Sequence, residues 1–294
     1  MRILLLGGNG QVGSALRERL PALGELRIGT RDGRLAEGGD CERADFDDPA
    51  SLGPLVSRLA PDIVVNAAAY TQVDRAESEP DAAFRANAQA PAALADACAR
   101  SGALLVHYST DYVFGGCATR PCREDDPTAP LGVYGASKLA GENAIRDSGA
   151  RHLVLRTAWV YAAQGRNFLR TMLRLAAERD ELRVVADQHG TPTPAVLIAD
   201  VTAQLLRRSP EASGLYHLTA AGQTTWHGFA EAIVDRACDL GRLVRKPRII
   251  PITTADYPTP AARPAYSVLD CTKLQRDFNI RLPNWREGLD NTLA

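Results

Sequence analysis

The chain has 294 residues, with 34 basic and 35 acidic side chains, and therefore carries a formal charge of −1. This balance argues against a protein that binds nucleic acid or a membrane surface, because both classes carry a basic excess. Hydrophobic residues make up 45% of the chain and no apolar run approaches the ~18 residues of a membrane span, so we expect an ordinary globular protein without a membrane partner.

The cysteines and the first residues bear on location. The N-terminal apolar stretch is too short for a signal peptide and runs directly into a glycine turn. No Cys-x-x-Cys pair occurs among the six cysteines, which are Cys41, Cys98, Cys117, Cys122, Cys238 and Cys271. These features predict reduced thiols, a cytoplasmic protein and no structural zinc.

Short apolar runs alternate with Ala-, Leu- and Arg-rich segments through the first two-thirds of the chain. The runs lack polar alternation, which is typical of strands covered on both faces, and their alternation with helices implies parallel crossovers. Strands are predicted at 3–6, 26–30, 62–68, 103–110, 153–160 and 182–186, and helices near 12–20, 51–59, 82–101, 134–147 and 167–179. This pattern predicts a doubly wound, Rossmann-like α/β sheet.

From about Pro192 the rhythm changes, with short elements at 215–218 and 248–252 among Pro- and Gly-rich turns. This part is predicted to pack over the open edge of the sheet, where ligands of α/β proteins bind. We divide the chain into a dinucleotide-binding domain at 1–160, to which later segments return, and a mainly substrate-binding part at 161–294.

A glycine-rich turn follows the first predicted strand. It fits G-x-G-x-x-G through Gly8, Gly10 and Gly13, and G-x-x-G-x-x-G when Gly7 is taken as the first glycine. Such a turn lets the backbone approach a pyrophosphate, which then lies at the helix N-terminus. A tight βα turn without a ligand is the alternative, but the strand before it and the helix after it favour dinucleotide binding.

The end of the second strand bears on the choice of cofactor. NAD-binding chains place an acidic residue there for the ribose hydroxyls, whereas this chain has Thr30 and Arg31. Arg31 suits a 2′-phosphate, so we expect NADPH, with NADH also accepted; the alternative is a solvated arginine beside Asp32. Asp45 and Phe46 are weaker candidates for the adenine end.

Tyr134 and Lys138 open the predicted helix 134–147 and share one face, one turn apart. An ammonium group near a phenol is expected to lower the phenol's pKa, which prepares it to donate a proton to a carbonyl oxygen. Thr110 ends a predicted strand at the edge where α/β active sites lie. The alternatives are an exposed helix pair for the first two residues and a turn cap for Thr110.

Several stretches together resemble the extended short-chain dehydrogenase/reductase superfamily. They are the glycine turn, Asn66-Ala67-Ala68-Ala69, Ser109-Thr110 and the Tyr134-x-x-x-Lys138 pair. Within this superfamily the chain is most similar to the reductases of dTDP-linked 4-keto sugars, through the segments 65–77, 109–114, 133–142, 156–161, 187–193 and 262–267.

The resemblance implies a role for particular residues. Tyr134 would donate the proton, Lys138 would bind the nicotinamide ribose and Thr110 would hold the keto oxygen. The implied cofactor contacts are Gly10, Gln11, Val12, Asp45, Phe46, Ala69, Tyr70, Thr71, Tyr108, Tyr134 and Lys138, to which the glycine turn adds Gly7 and the end of the second strand adds Arg31. The implied substrate contacts are Thr110, Asp111, Tyr112, Trp159, Asn167 and Arg263, with core packing as the alternative for Trp159.

The implied reaction is reduction of the C4 keto group of dTDP-4-dehydro-L-rhamnose to dTDP-L-rhamnose. The alternatives are another nucleotide-sugar reductase or epimerase of the superfamily, or a non-catalytic dinucleotide-binding regulatory subunit. Some relatives hold a magnesium ion between subunits with acidic residues, whereas the matching positions here are Ala15 and Val196. We therefore expect no metal, and a homodimer stays an open alternative to the monomer.

Overall fold

The computed structural model describes residues 1–209 and 211–294, and its centre is a seven-stranded parallel sheet. Its strands are β1 Arg2–Leu6, β2 Glu25–Thr30, β3 Glu42–Arg43, β4 Ile63–Asn66, β5 Leu104–Thr110, β6 His152–Thr157 and β11 Gly214–His217. Short strands outside it are β7 Val160–Tyr161, β8 Glu181–Val185, β9 His189–Gly190, β10 Thr193–Pro194, β12 Thr224–Thr225 and β13 Arg248–Ile252.

Helices cover both faces of the sheet and form much of the C-terminal part. They are α1 Gln11–Arg19, α2 Leu52–Leu59, α3 Val73–Ala76, α4 Pro80–Phe84, α5 Ala90–Ser101, α6 Val133–Asp147, α7 Phe168–Glu178, α8 Ala195–Arg208, α9 Trp226–Asp239, α10 Thr272–Phe278 and α11 Trp285–Leu293. No helix in the described residues is long and apolar enough to cross a membrane.

The strand order is β3-β2-β1-β4-β5-β6-β11, so the direction of winding reverses between β1 and β4. All of these pairings are parallel. The carboxyl ends therefore meet at one edge, and the reversal opens a crevice there. The predicted doubly wound sheet is confirmed.

Two-sided burial explains why the strands lack polar alternation. On β1, Ile3 and Leu5 belong to the core shared with α1 and α8, whereas Leu4 and Leu6 belong to the core shared with α2 and α5. Each of these side chains contributes roughly 1.5–3 kcal/mol by burial. The residues that point to either face of such a strand must then be apolar.

The predicted strand 182–186 is present as β8 but lies outside the central sheet, where it pairs with β13. Its residues alternate between exposed and buried, as expected of a strand covered on one face. The seventh place in the central sheet is taken by β11, which pairs with β6 although it lies in the predicted C-terminal part. The division at residue 160 stays a prediction.

Two other predicted elements are interrupted. The predicted strand 153–160 divides into β6 and β7 because Trp159 between them has φ +46°. The predicted helix 82–101 contains a π-helical turn, Arg85–Gln89, between α4 and α5. Both interruptions border the crevice, and such irregularities are frequent at functional sites.

Candidate active site

The glycine turn joins β1 to α1 at the crevice. Gly7 has φ +81°, and a Cβ atom there would lie 2.6 Å from the Ala68 nitrogen. A Cβ atom on Gly13 would collide with the Gly7 carbonyl oxygen. Glycine is therefore required at both positions by the close approach of β1, β4 and α1.

The N-terminus of α1 is open toward the crevice. Gly10 is the N-cap and donates its N–H to the Gly7 oxygen at 2.9 Å, while no side chain of the described residues caps the helix. Gln11 and Val12 begin the helix, so their N–H groups lack intrahelical acceptors. Free N–H groups and a glycine approach suit a diphosphate, so the residues present fit a dinucleotide.

At the end of β2, the Thr30 side chain closes the turn that follows it by hydrogen bonds with the main chain of Arg34. Its hydroxyl donates to the Arg34 oxygen and accepts from the Arg34 nitrogen, both at 2.9 Å. The Arg31 side chain is 73% exposed, and its guanidinium lies 3.9 Å from Asp47. Arg31 is thus accessible to a 2′-phosphate.

The two predicted adenine contacts lie just beyond β3. Phe46 is buried in the core, and Asp45 accepts hydrogen bonds from the Asp47 nitrogen and from Arg43. Burial leaves Phe46 able to offer only a small part of its ring to a ligand.

The side chain of Asn87 holds the loop after β4, which contains Ala69, Tyr70 and Thr71. The amide of Asn87, in the π-helical turn, accepts from the Tyr70 nitrogen at 2.9 Å and donates to the Tyr70 oxygen at 3.0 Å. It also donates to the Ser137 hydroxyl at 3.1 Å. Asn87 therefore fixes this loop to the helix that carries Tyr134.

Tyr134 lies where β5 ends. Its ring packs edge-on against Tyr112 with centroids 5.6 Å apart. The Thr110 hydroxyl donates to Asp111 Oδ1 at 3.1 Å and accepts from the Tyr112 nitrogen at 3.2 Å. Burial raises the pKa of Asp111 to about 6, and its Oδ2 lacks a partner at hydrogen-bond distance among the described residues. The structure thus brings together four of the predicted site residues.

Lys138 is fully enclosed behind Tyr134, with 2% of its surface exposed. Its Nζ donates to the Tyr108 carbonyl oxygen at 2.6 Å and lies 3.1 Å from His107 Nε2. The Tyr108 ring points to the other face of the sheet, where its hydroxyl lies 2.8 Å from Thr202 of α8. Tyr108 consequently meets the site through its main chain.

The expected lowering of the Tyr134 pKa by Lys138 is not found in the protein alone. Burial raises the pKa of Tyr134, and a hydrogen bond with Thr110 offsets only part of this effect. Burial also lowers the pKa of Lys138 to about 8 against the opposing charge of Glu142. The charge of Lys138 does not contribute to the shift of the Tyr134 pKa, so desolvation outweighs the effect that the spacing predicted.

A buried ion pair supports the helix of Tyr134 and Lys138. Glu142, one turn beyond Lys138, accepts from Arg156 Nη2 at 2.7 Å and from its Nε at 2.9 and 3.2 Å. Both side chains are 3% exposed. The pair fastens α6 to β6.

Trp159 lies in the left-handed region, which is uncommon for a bulky residue. Its ring stacks on Trp226 with centroids 3.6 Å apart, and Trp226 in turn packs against Phe168. A side chain on Gly190 would collide with the Trp159 ring. The strained backbone and the small neighbour together hold this indole in one position.

Asn167 has structural partners on two sides. It caps α7, and its Nδ2 donates to Gln11 Oε1 and to the Ala162 oxygen, both at 2.8 Å. The segment before α7 therefore rests on the glycine turn. Here Asn167 joins the C-terminal part to the predicted cofactor site.

Arg263 spans the crevice from the C-terminal side. It donates to Asp74 Oδ2 at 2.7 Å and to the Tyr112 hydroxyl at 3.0 Å. Its guanidinium is thus engaged by protein groups at the mouth of the site. A diphosphate would have to share or replace the Asp74 contact.

The sequence assigned no role to several residues that shape the site, namely Asn66, Asp74, Asn87, His107, Glu142, Arg156 and Trp226. A usable signal existed for Arg156, because a charged residue in a buried strand such as β6 is costly unless it is paired. The two positions considered for a metal are Ala15, buried on α1, and Val196, exposed in the first turn of α8. The expected absence of a metal stays a prediction.

Comparisons with known proteins agree on one family. The model of the RmlD substrate binding domain matches residues 1–294. A dTDP-4-dehydrorhamnose reductase of Burkholderia thailandensis is 50% identical over 295 residues, covering 97% of this chain and 96% of the relative. The enzyme of the same name from Salmonella typhimurium is 46% identical, covering 100% and 97%.

A solved structure is similar over the same length. The crystal structure of a dTDP-4-dehydrorhamnose reductase from Bacillus anthracis in complex with NADP has a TM-score of 0.90 and 34% identity. The match covers 99% of this chain and 98% of that protein.

Proposed function

We propose that this chain, which belongs to the RmlD substrate binding domain family, reduces the C4 keto group of dTDP-4-dehydro-L-rhamnose to give dTDP-L-rhamnose. It is an oxidoreductase, because its relatives of 50% and 46% identity over nearly the full length are dTDP-4-dehydrorhamnose reductases. The observation that carries the proposal is the meeting of Thr110, Tyr134 and Lys138 at the end of β5, beside an open helix N-terminus.

NADPH supplies the hydride when bound, and a relative with a TM-score of 0.90 binds NADP. The residues proposed to hold its diphosphate are Gly7, Gly10, Gln11 and Val12, while Arg31 would pair with the 2′-phosphate. Lys138 would bind the ribose beside the nicotinamide. Further contacts are proposed for Asp45, Phe46, Ala69, Tyr70, Thr71 and, through its main chain, Tyr108.

Tyr134 is the proposed proton donor to the C4 oxygen. Its raised pKa keeps the phenol protonated at neutral pH, as a general acid must be before it acts. Thr110 at the same edge would hold the keto oxygen, for which its hydroxyl must turn away from Asp111. The proton would leave Tyr134 as the C4 oxygen becomes a hydroxyl.

The sugar is proposed to lie against Asp111, Tyr112 and the Trp159 indole. Trp226 supports that indole by stacking on it and so positions Trp159. Arg263 would bind the nucleotide diphosphate by exchanging its Asp74 contact for phosphate oxygens. Asn167 stays a proposed sugar contact, and its hydrogen bond to Gln11 also joins it to the glycine turn.

The test is oxidation of NADPH by the purified protein when the dTDP-linked keto sugar is added. Tyr134→Phe is expected to lose turnover and retain cofactor binding, since only the hydroxyl is removed. One NADPH consumed per product excludes an epimerase, and proton NMR of the product gives the C4 configuration. Near-normal turnover of the variant would contradict the assigned acid.

We also propose that the protein works in the cytoplasm and has no nucleic-acid partner. The support is its free cysteines, three of them buried, and its near-neutral charge. A homodimer is the proposed assembly to be checked by light scattering. A monomer at working concentration would contradict the homodimer and leave the proposed reaction unaffected.

A further inference from the structure

A buried chain of polar groups runs from Lys138 to the loop that follows β4. The Ala68 nitrogen donates to Asn66 Oδ1 at 3.1 Å, and Asn66 Nδ2 lies 2.9 Å from His107 Nδ1. His107 Nε2 then lies 3.1 Å from Lys138 Nζ. Asn66, His107 and Lys138 are all buried, so water does not supply alternative partners at this position.

The first member of the chain fixes the direction of every other hydrogen bond. A backbone N–H can only donate, so the Asn66 atom that faces Ala68 must be the oxygen. The Asn66 NH₂ group then faces His107 Nδ1 as a donor, and Nδ1 must offer a lone pair. A neutral imidazole with a free Nδ1 carries its proton on Nε2.

This tautomer leaves His107 with a donor pointing at Lys138. An ammonium group has no lone pair and would face that N–H as a second donor, whereas a neutral amine can accept from it and still donate to the Tyr108 oxygen. Reversing the imidazole or the amide only moves the donor–donor conflict to another link of the chain. The neutral amine alone satisfies all four groups.

We propose that the Asn66–His107 chain is a positioning device that presents an N–H donor to Lys138 and so favours its neutral amine over the ammonium form in the ligand-free protein. The consequence for catalysis, but not the hydrogen-bond chain itself, rests on the proposed function. His107 is not a catalytic residue in this view, since it acts only through Lys138.

The other groups around Lys138 do not reverse this preference. Glu142 on the same helix favours the ammonium form, but its carboxylate is engaged by Arg156. Tyr134 is a neutral phenol, and the charge of Asp111 acts on Tyr134. Burial opposes the charged form, and it also lowers the pKa of His107 well below its ordinary value, which keeps the imidazole neutral.

The wild-type protein permits a direct test because it contains only three lysines, Lys138, Lys246 and Lys273. Lysine-selective ¹⁵N and ¹³C labelling should show one side-chain signal that titrates near pH 8, assigned by its loss in Lys138→Met. Two-bond ¹H–¹⁵N spectra of the five histidines should show His107, assigned through His107→Gln, with its proton on Nε2. A proton on Nδ1, or a Lys138 signal that stays charged beyond pH 10, overturns the proposal.

Two variants separate the hydrogen-bond direction from simple charge. In Asn66→Asp the carboxylate accepts from Nδ1–H, so the tautomer reverses and the Lys138 titration should rise by about one pH unit or more. In Asn66→Ala no donor fixes the tautomer, so the titration should move in the same direction without an added charge. A shift in Asn66→Asp alone would assign the effect to the carboxylate and refute the chain.

The pH profile links this device to turnover. If Lys138 acts as proposed, the alkaline limb of kcat/KM should move with its titration in both Asn66 variants. Movement of the NMR titration without movement of the limb would retain the chain and contradict the role of Lys138 in the reaction. Unchanged titrations with normal turnover would contradict the hydrogen-bond chain and retain the role of Lys138 in the reaction.

Discussion

Removal of the Glu142 carboxylate should test how the helix of Tyr134 and Lys138 is held. In Glu142→Ala the Arg156 guanidinium stays buried without its three hydrogen bonds, while its Nη1 already lacks a partner among the described residues. An unpaired buried charge of this kind costs about 3–5 kcal/mol. We expect the free energy of unfolding, measured by urea denaturation, to fall by that amount.

The matched control removes both charges at once. The double variant Glu142→Leu, Arg156→Met fills the same space with apolar atoms and should lie within about 1 kcal/mol of the wild type, or above it. A conservative Glu142→Gln should lower the Lys138 titration, because the carboxylate raises the pKa of that amine. A single variant that costs less than about 1 kcal/mol, or a double variant as unstable as the single, would refute the reasoning.

Three further predictions concern the glycine turn, a helix cap and a buried carboxyl. Gly13→Ala should weaken NADPH binding through a clash worth roughly 1–3 kcal/mol, while Gly53→Ala, in an open position on α2, should leave binding unchanged in the same fluorescence titration. Asn167→Ala and Asn284→Ala should each lose a helix cap worth about 1 kcal/mol, but only Asn167→Ala should also raise the Kd for NADPH. Burial raises the pKa of Asp111 to about 6, so its contribution to stability is present below pH 4 and is lost as the pH rises through 6. The free energy of unfolding should therefore fall by about 3 kcal/mol between pH 4 and pH 7 because of this group, and Asp111→Asn should remove that fall.

Each of these has a contradicting result. Equal affinities in the two glycine variants would show that the turn tolerates a methyl group. Equal Kd values for the two asparagine variants would show that the contact of Asn167 with Gln11 does not reach the cofactor site. A stability difference between wild type and Asp111→Asn that is the same at both pH values would show that Asp111 titrates normally.

The fold was predictable wherever burial leaves only one choice of residue. Strands covered on both faces are apolar over most of their length, and β1, β4 and the first half of β5 could be recognised for that reason. β8 was misplaced because an apolar run does not reveal its neighbour, and pairing with β13 depends on a segment more than sixty residues away. β11 joined the central sheet through the same kind of distant pairing.

The site divides in a similar way. Tyr134 and Lys138 were found because their spacing is local to one helix turn. His107 and Glu142 were missed because their roles depend on partners in other elements, Asn66 and Arg156 respectively. Asn167 was assigned to the sugar on resemblance, while its contact with Gln11 joins residues 156 positions apart.

The sequence by itself determined the Rossmann-like class, the glycine turn and the tyrosine–lysine pair, because these depend on strand burial, close backbone approach and helical periodicity, which are short-range properties. Only the tertiary structure decided which groups surround each ionisable side chain. Because desolvation and hydrogen-bond direction arise from residues distant along the chain, the charge on Lys138 is a property of the folded protein and not of the motif that contains it.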